Sequence, residues 1–198
     1  MVQIKKYHEG LIILSGCLNG PICHNLRKAA FWGEITRGKI NQIDRFLNDS
    51  ETIKLEGDLS AEVIHTPGHS SGSISLFIKG EKVLFSGDSI LLPGELPIYE
   101  NFDDTILSIK KLKQIKDVKV LLSSWDEPVF DSEIQKKIEK SINYLFTIHK
   151  AIRDIENAES CSPMDLCKTV VEKLGLPAAA INPLVAKSFQ SNIDSEYF

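Results

Sequence analysis

The residue types best suited to chemistry lie in the segment His-Thr-Pro-Gly-His at residues 65–69, directly after a short apolar run. That run is rich in Val and Ile and predicts a strand that ends near His65. Proline and glycine then predict a tight turn, which places His69 on a short loop at the strand end. Gly68 and Gly72 allow the backbone to pass close to whatever His69 contacts. An imidazole presented in this way is suited to metal coordination.

A second candidate side chain, Asp88, follows the next predicted hairpin. The sequence Ser86-Gly87-Asp88 again places a polar side chain on a loop after a strand. An imidazole nitrogen and a carboxylate oxygen from neighbouring strand ends are both good zinc ligands. Each sequence alone is common in turns, where a histidine is usually only hydrogen-bonded. Together and in this order, His69 and Asp88 predict a shared metal site.

Composition and charge exclude several classes of protein. The 198 residues are 42% hydrophobic and 25% charged, with a formal net charge of −4. The negative charge excludes a general nucleic-acid binder, and the apolar fraction excludes intrinsic disorder. No stretch approaches the roughly 20 apolar residues of a membrane span, so no membrane partner is expected. Four cysteines are too few for a disulfide scaffold; without an export signal, they predict reduced thiols in the cytoplasm.

Hydrophobic patterning predicts the elements that position these two side chains. Four strands form a meander within residues 51–90, and the tetrapeptide at 79–82 is a hairpin turn. Apolar residues at three- and four-residue steps predict helices over residues 103–115 and 131–156. The apolar run at 118–122 predicts a strand covered on both faces. The meander strands are expected at residues 52–55, 61–64, 73–78 and 82–85. Strands followed by helix, strand and helix indicate an α/β (α+β) protein.

The two ends of the chain carry weaker patterns. A strand is predicted at residues 11–14 and a helix at residues 41–47, where three apolar side chains fall at helical spacing. Near the C-terminus, Ser162-Pro163 and Asn182-Pro183 predict the starts of two short helices that form a lid or docking hairpin. These patterns divide the chain into a domain at residues 1–156 and a C-terminal helical extension at residues 157–198.

Around the two candidate ligands the sequence resembles the metallo-β-lactamase-fold hydrolases. The segment at residues 65–69, with Gly72-Ser73, resembles the superfamily's second metal histidine, and Gly87-Asp88 resembles its metal-bridging aspartate. The resemblance extends over about residues 40–155. It implies an αββα sandwich with metals at the strand ends, here incomplete on its N-terminal side. It also implies zinc, iron or manganese that activates a water, as in glyoxalase II and the antibiotic-hydrolysing lactamases. The substrates implied are small molecules with an ester, thioester, lactone or similar bond.

Two departures from the family pattern leave the predicted metal site short of ligands. The family's His-x-His-x-Asp-His cluster does not occur upstream of residue 65, and Trp125 stands at the position of the last metal histidine. Only His69 and Asp88 match, whereas a catalytic zinc takes three protein ligands. Asp126, beside the tryptophan, is the first candidate for a substitute ligand, and Cys23-His24 is a more remote one.

Three explanations for the missing ligands stay open. The chain is a truncated piece of a longer hydrolase, a degenerate member that binds no metal and serves as a binding module, or a member that recruits substitute ligands. An incomplete sandwich leaves a sheet face or edge uncovered. We therefore expect either a homo-oligomer or association with a missing N-terminal half.

Other conspicuous residues favour structural roles. His149, between an isoleucine and a lysine on the long helix, is predicted to lie at the surface. Trp125 is predicted to pack beneath the C-terminal helices. The cysteines are predicted to be free thiols, because their spacing does not match that of structural zinc sites.

Overall fold

The computed structural model describes residues 2–6, 12–16, 45–55 and 58–197. Its first three strands form a small antiparallel sheet in the order β2-β1-β3, with β1 at Val2–Lys6, β2 at Ile12–Gly16 and β3 at Arg45–Leu47. Strand β2 overlaps the strand predicted at residues 11–14. The helix predicted at residues 41–47 is wrong for its last turn, because residues 45–47 pair with β1 and satisfy their backbone there. Residues 41–44 lie outside the described part of the chain.

A six-stranded mixed sheet carries the rest of the strands and confirms the predicted meander. The hairpin turn is closed by a 3.3 Å hydrogen bond from the backbone nitrogen of Lys82 to the carbonyl oxygen of Lys79. All neighbouring strands are antiparallel except β7 and β8, which run parallel. In the order of the sheet, the strands are β4 (Thr52–Lys54), β5 (Ser60–His65), β6 (Ile74–Ile78), β7 (Val83–Gly87), β8 (Val120–Ser123) and β9 (Val129–Phe130).

Among the described residues, four helices lie close to the predicted positions. They are α1 (Phe102–Lys113), α2 (Ser132–Arg153), α3 (Pro163–Leu174) and α4 (Pro183–Ile193). The side chains of Asn101, Ser162 and Asn182 accept hydrogen bonds from backbone N–H groups in the first turns of α1, α3 and α4. Gly175 ends α3 in the left-handed conformation, at a φ of 64°. Local capping chemistry therefore sets these helix boundaries.

The main core lies between the six-stranded sheet and helices α1 and α2. Leu84 and Leu121 from the parallel strand pair pack there against Phe102 and Ile106 of α1 and Ile138 of α2. A second cluster holds α3 and α4 against α2. A third cluster, on the opposite face of the sheet, joins β3 to strands β4 and β5. The result is an α/β architecture in which helices α3 and α4 pack at the C-terminal end of the described residues.

The opposite face of strands β7 to β9 is only partly covered. Phe85 and Phe130 are exposed on it, and Leu122 between them is half-buried. The prediction that residues 118–122 form a strand buried on both faces is therefore wrong for one face. Parallel strands are normally buried on both sides, so this face is an apolar surface on the described part of the chain.

His149 is buried, which contradicts its predicted surface position. Its ring stacks on Phe102 with centroids 4.5 Å apart and planes 8° from parallel. Its Nδ1 contacts Oδ1 of Asn192 at 3.2 Å, and its Nε2 contacts the carbonyl oxygen of Tyr197 at 2.9 Å. These partners come from α4 and the C-terminal segment, which fold back over α2, so neighbouring residues in the sequence did not reveal them.

The sequence predicted no membrane span and free cysteine thiols. In the part of the chain that the structure describes, we find no helix with the length and apolar content needed to cross a membrane. Cys161 and Cys167 are free thiols, as predicted. Burial raises the pKa of Cys167. Cys17 and Cys23 lie outside the described residues.

Candidate metal site

The turn that carries His69 is built around Gly68. Its φ of 128° is one that side-chain-bearing residues rarely adopt, and a Cβ there would lie 2.6 Å from the backbone nitrogen of Thr105. Its carbonyl oxygen accepts hydrogen bonds from the backbone nitrogens of Glu100, at 2.6 Å, and Asn101, at 3.2 Å. The start of α1 therefore packs directly on the turn, and only glycine fits at this position.

The ring of His69 is oriented by the loop that precedes α1. Its Nδ1 donates a hydrogen bond of 2.9 Å to the carbonyl oxygen of Ile98. Because a carbonyl can only accept, the proton of the neutral ring lies on Nδ1 and the lone pair on Nε2. That Nε2 lies 3.9 Å from Oδ2 of Asp88, and the two side chains are 36% and 38% exposed. The structure thus brings together the two candidate ligands, within reach of solvent.

Asp88 is held from its other side by Trp125. The indole Nε1 of Trp125 donates a 2.8 Å hydrogen bond to Oδ1 of Asp88. Trp125 is 85% exposed, so the prediction that it packs beneath the C-terminal helices is wrong. The turn between β8 and β9 carries the indole over the ends of β7 and β8, where a carboxylate acceptor is available. Oδ2 of Asp88 is left to face His69.

A buried chain of hydroxyl groups links the two ligand-bearing loops. Ser89 donates a 3.1 Å hydrogen bond to Oγ1 of Thr66, which lies 3.1 Å from the hydroxyl of Ser75. Ser75 donates in turn to the carbonyl oxygen of Ser86, at 3.4 Å. All four residues are buried. Because Thr66 and Ser89 lie close to the two ligands in sequence, this network fixes the spacing of the loops. Small hydroxyl residues beside each ligand are the sequence signal that could have indicated it.

Asp126, the candidate substitute ligand, already has a cationic partner. The Nζ of Lys137 lies 2.7 Å from Oδ2 of Asp126, an ion pair that leaves this buried oxygen without a well-directed hydrogen bond. The Lys137 side chain is only 7% exposed, and it also donates to Oγ of Ser123 at 3.2 Å. A role for Asp126 in metal binding stays a prediction. It requires the carboxylate to exchange an ammonium for a metal ion.

Glu95 adds a third carboxylate to this region, which sequence reasoning missed. Burial raises the pKa of Glu95, against a hydrogen bond from the backbone nitrogen of Leu92. The negative charges of Asp126 and Asp88 raise this pKa further, and the charge of Lys137 opposes them. The carboxylates are therefore close enough to repel one another, and Lys137 is the cation that offsets the repulsion.

Comparison with known proteins identifies the family to which this chain belongs. The sequence profile of the metallo-beta-lactamase superfamily matches residues 10–124. The chain belongs to this superfamily. A solved structure of a metallo-beta-lactamase family protein from Thermus thermophilus has the same fold, with a TM-score of 0.55 and 18% sequence identity. The alignment covers 74% of this chain and 46% of that one.

Two curated relatives of this metallo-β-lactamase-fold protein are hydrolases. One is the acyl-coenzyme A thioesterase MBLAC2 of Gallus gallus, 40% identical over 77 residues, which are 37% of this chain and 27% of the relative. Another is a hydroxyacylglutathione hydrolase of Bartonella henselae, 34% identical over 89 residues, which are 44% of this chain and 35% of the relative. The chain spans less than half the length of the curated relatives it matches.

The superfamily implies a zinc site, and the described residues supply only part of one. Two ligands about 2.0–2.1 Å from a tetrahedral zinc stand roughly 3.4 Å apart. His69 Nε2 and Asp88 Oδ2, at 3.9 Å, therefore fit one shared cation after a small adjustment. A catalytic zinc takes three protein ligands. Among the described residues, no group of three His, Cys, Asp or Glu side chains is arranged to hold a metal. Cys23 and His24 lie outside these residues.

Proposed function

We propose that this chain is the His69- and Asp88-bearing portion of a hydrolase that cleaves a thioester or related ester bond in a small molecule. In this proposal His69 and Asp88 are two ligands of a divalent cation, which is zinc, iron or manganese. The further ligands come from outside the described residues. The observation that carries the proposal is the approach of two lone-pair-bearing atoms, Nε2 and Oδ2, to 3.9 Å at neighbouring strand ends.

The chain's own residues prepare this site for a cation. The hydrogen bond to Ile98 fixes the His69 tautomer, so that Nε2 carries the lone pair that can bind a metal ion. The indole of Trp125 restrains the Asp88 carboxylate so that Oδ2 faces the same point. Both side chains remain more than a third exposed, which gives a substrate access. A bound divalent cation would supply Lewis acidity and would make a coordinated water more acidic.

The substrate class is supported by the relatives and by the charge of the chain. The two relatives named above are an acyl-coenzyme A thioesterase and a hydroxyacylglutathione hydrolase. A thioester is therefore the first bond to test. The net charge of −4 favours a small-molecule substrate over a nucleic acid. The free thiols of Cys161 and Cys167 support a reducing, cytoplasmic setting.

Thioester hydrolysis and zinc binding can be tested together on the 198-residue chain. We expect His69→Ala and Asp88→Asn each to abolish zinc uptake and thiol release from an acyl-coenzyme A. Hydrolysis is followed by a thiol-specific dye and zinc by elemental analysis. His65→Ala is the matched control, because its ring Nε2 contacts the carbonyl oxygen of Ser71 and not Asp88. Zinc uptake that survives both ligand substitutions would refute the ligand assignment.

A metal-free binding module on the same fold is the second candidate function. The number of metal ligands favours it, since the described residues bring only two metal-binding side chains together. It predicts a chain that stays folded, takes up no zinc and releases no thiol. Elemental analysis after expression in zinc-supplemented medium separates the two functions, because only the hydrolase requires about one bound ion per chain.

A further inference from the structure

We infer that the site binds a single cation, because the indole N–H of Trp125 occupies the position beside Asp88 that a second cation would need. This inference rests on the proposed function, since it concerns how many ions the His69 and Asp88 site holds. The sequence resemblance implied a metal-bridging role for Asp88. The observed contacts of its two carboxylate oxygens do not fit that role.

A carboxylate that bridges two metal ions offers one oxygen to each. In this chain Oδ2 of Asp88 faces Nε2 of His69 at 3.9 Å, and Oδ1 accepts the indole N–H of Trp125 at 2.8 Å. An N–H group aimed at an oxygen presents positive charge where a second cation would have to sit. The indole is a donor only and has no lone pair with which to bind a metal. Trp125 therefore blocks the second oxygen and contributes no ligand in return.

Lys137 reinforces the exclusion of a second ion. Its ammonium is buried, lies 2.7 Å from Oδ2 of Asp126 and donates to Ser123, the last residue of β8 before the turn that carries Trp125. The other carboxylate of the turn is thus neutralised by a fixed charge of the protein itself. A second divalent cation beside Asp126 would have to displace this ammonium, which repels it. The indole N–H and the ammonium therefore occupy the two carboxylate oxygens that a second metal ion would need.

Zinc titration of the full chain, read by calorimetry and by native mass spectrometry, tests the inference without any assay of activity. We expect the wild-type chain to saturate at one zinc ion. Trp125→His removes the N–H donor and introduces a ligand beside Asp88, so this variant is expected to bind one ion more than wild type. Trp125→Phe removes the donor without adding a ligand and is expected to stay at one. Trp125 is 85% exposed, so neither substitution removes core packing.

A second control separates this effect from the zinc that any added surface histidine binds. Phe130→His places a histidine at another exposed aromatic position, on strand β9, and is expected to leave the stoichiometry at one. A wild-type chain that binds two ions, both lost in Asp88→Asn, would overturn the inference and leave the proposed function standing. Equal uptake by Trp125→His and wild type would also overturn it. A wild-type chain that binds no zinc would instead overturn the proposed function.

Discussion

At the scale of single residues, the candidate site depends on hydrogen bonds that leave one atom of each ligand free. The carbonyl oxygen of Ile98 accepts a hydrogen bond from Nδ1 of His69, and the indole of Trp125 donates one to Oδ1 of Asp88. Gly68 lets the loop with His69 lie against the first turn of α1. Glu95 and Lys137 set the local charge. A substitution at Gly68 therefore changes packing, and a substitution at Glu95 changes charge.

Replacing Gly68 with alanine tests the close approach of the turn to α1. The added Cβ would lie 2.5 Å from Cα of Thr105, at a φ of 128°. We expect Gly68→Ala to lower the free energy of unfolding by about 2–4 kcal/mol, from backbone strain and overpacking. Gly80→Ala is the control, since a Cβ added at Gly80 would have no neighbouring atom within 4 Å. Urea denaturation measures both, and equal stability of the two variants would contradict the described turn.

Replacing Glu95 with glutamine tests the repulsion among the carboxylates. Burial, with the charges of Asp126 and Asp88, raises the pKa of Glu95 in the folded state. The carboxylate form is therefore disfavoured by folding, and stability is lost as the pH rises through the folded-state pKa. We expect Glu95→Gln to be more stable than wild type at pH 7, with the difference vanishing below about pH 4. Urea denaturation across this pH range checks it. The exposed Glu81→Gln is the control, and a destabilised Glu95→Gln at pH 7 would contradict the prediction.

At the scale of elements, the loops are positioned by helices that pack on strand ends. Helix α1 is tied to the end of β5 through Asp49, whose Oδ1 accepts from the backbone nitrogen of His65 at 2.7 Å and from Nζ of Lys111 at 2.9 Å. Helix α4 is tied to α2 through His149. The helix periodicity and the cap residues were readable in the sequence because they depend on neighbours within one turn. The contacts that join one element to another could not be predicted in this way, because their partners are far apart along the chain.

The tie at Asp49 gives a pH-dependent prediction. Burial alone would raise the pKa of Asp49, but the His65 N–H and the Lys111 ammonium hold it below its usual range. The stabilisation is therefore present above about pH 4 and is lost as the pH falls through the folded-state pKa. We expect Asp49→Asn to be less stable than wild type at pH 7, and the two proteins to converge towards about pH 2. Urea midpoints at several pH values measure this. A gap that persists undiminished at acid pH would refute the electrostatic origin.

The buried His149 gives a prediction about how the C-terminal helices dock. Its ring stacks on Phe102 and contacts Asn192 and Tyr197. Removing the ring opens a cavity and leaves polar partners without a bond, so we expect His149→Ala to lower the free energy of unfolding by about 2–4 kcal/mol. Limited proteolysis should cut the C-terminal segment faster in this variant. The neighbouring exposed Lys150→Ala is the control. Unchanged stability of His149→Ala would mean that the ring lies at the surface.

At the scale of the whole molecule, the partly covered face of β7 to β9 is the main apolar surface of the six-stranded sheet. Phe85, on the parallel strand β7, and Phe130, on β9, are exposed on it. An apolar sheet face of this kind favours self-association.

Self-association through this face is testable by analytical ultracentrifugation. We expect the sedimentation coefficient of the 198-residue chain to rise with concentration, and the double variant Phe85→Thr/Phe130→Thr to reduce this rise. Threonine keeps the β propensity of both positions while removing the apolar rings. Leu107→Thr, at an exposed residue on α1, is the control and should associate like wild type. A wild-type chain that stays monomeric at all concentrations would contradict the prediction.

Residues that are close along the chain were enough to predict the hairpins, the starts of α3 and α4 and the two loops that carry His69 and Asp88. The pairing of residues 45–47 with β1, the burial of His149 and the contacts of Trp125 and Asp126 became known from the folded structure alone. Each of these requires a partner from a distant segment, and a local pattern carries no information about which partner the fold will bring near.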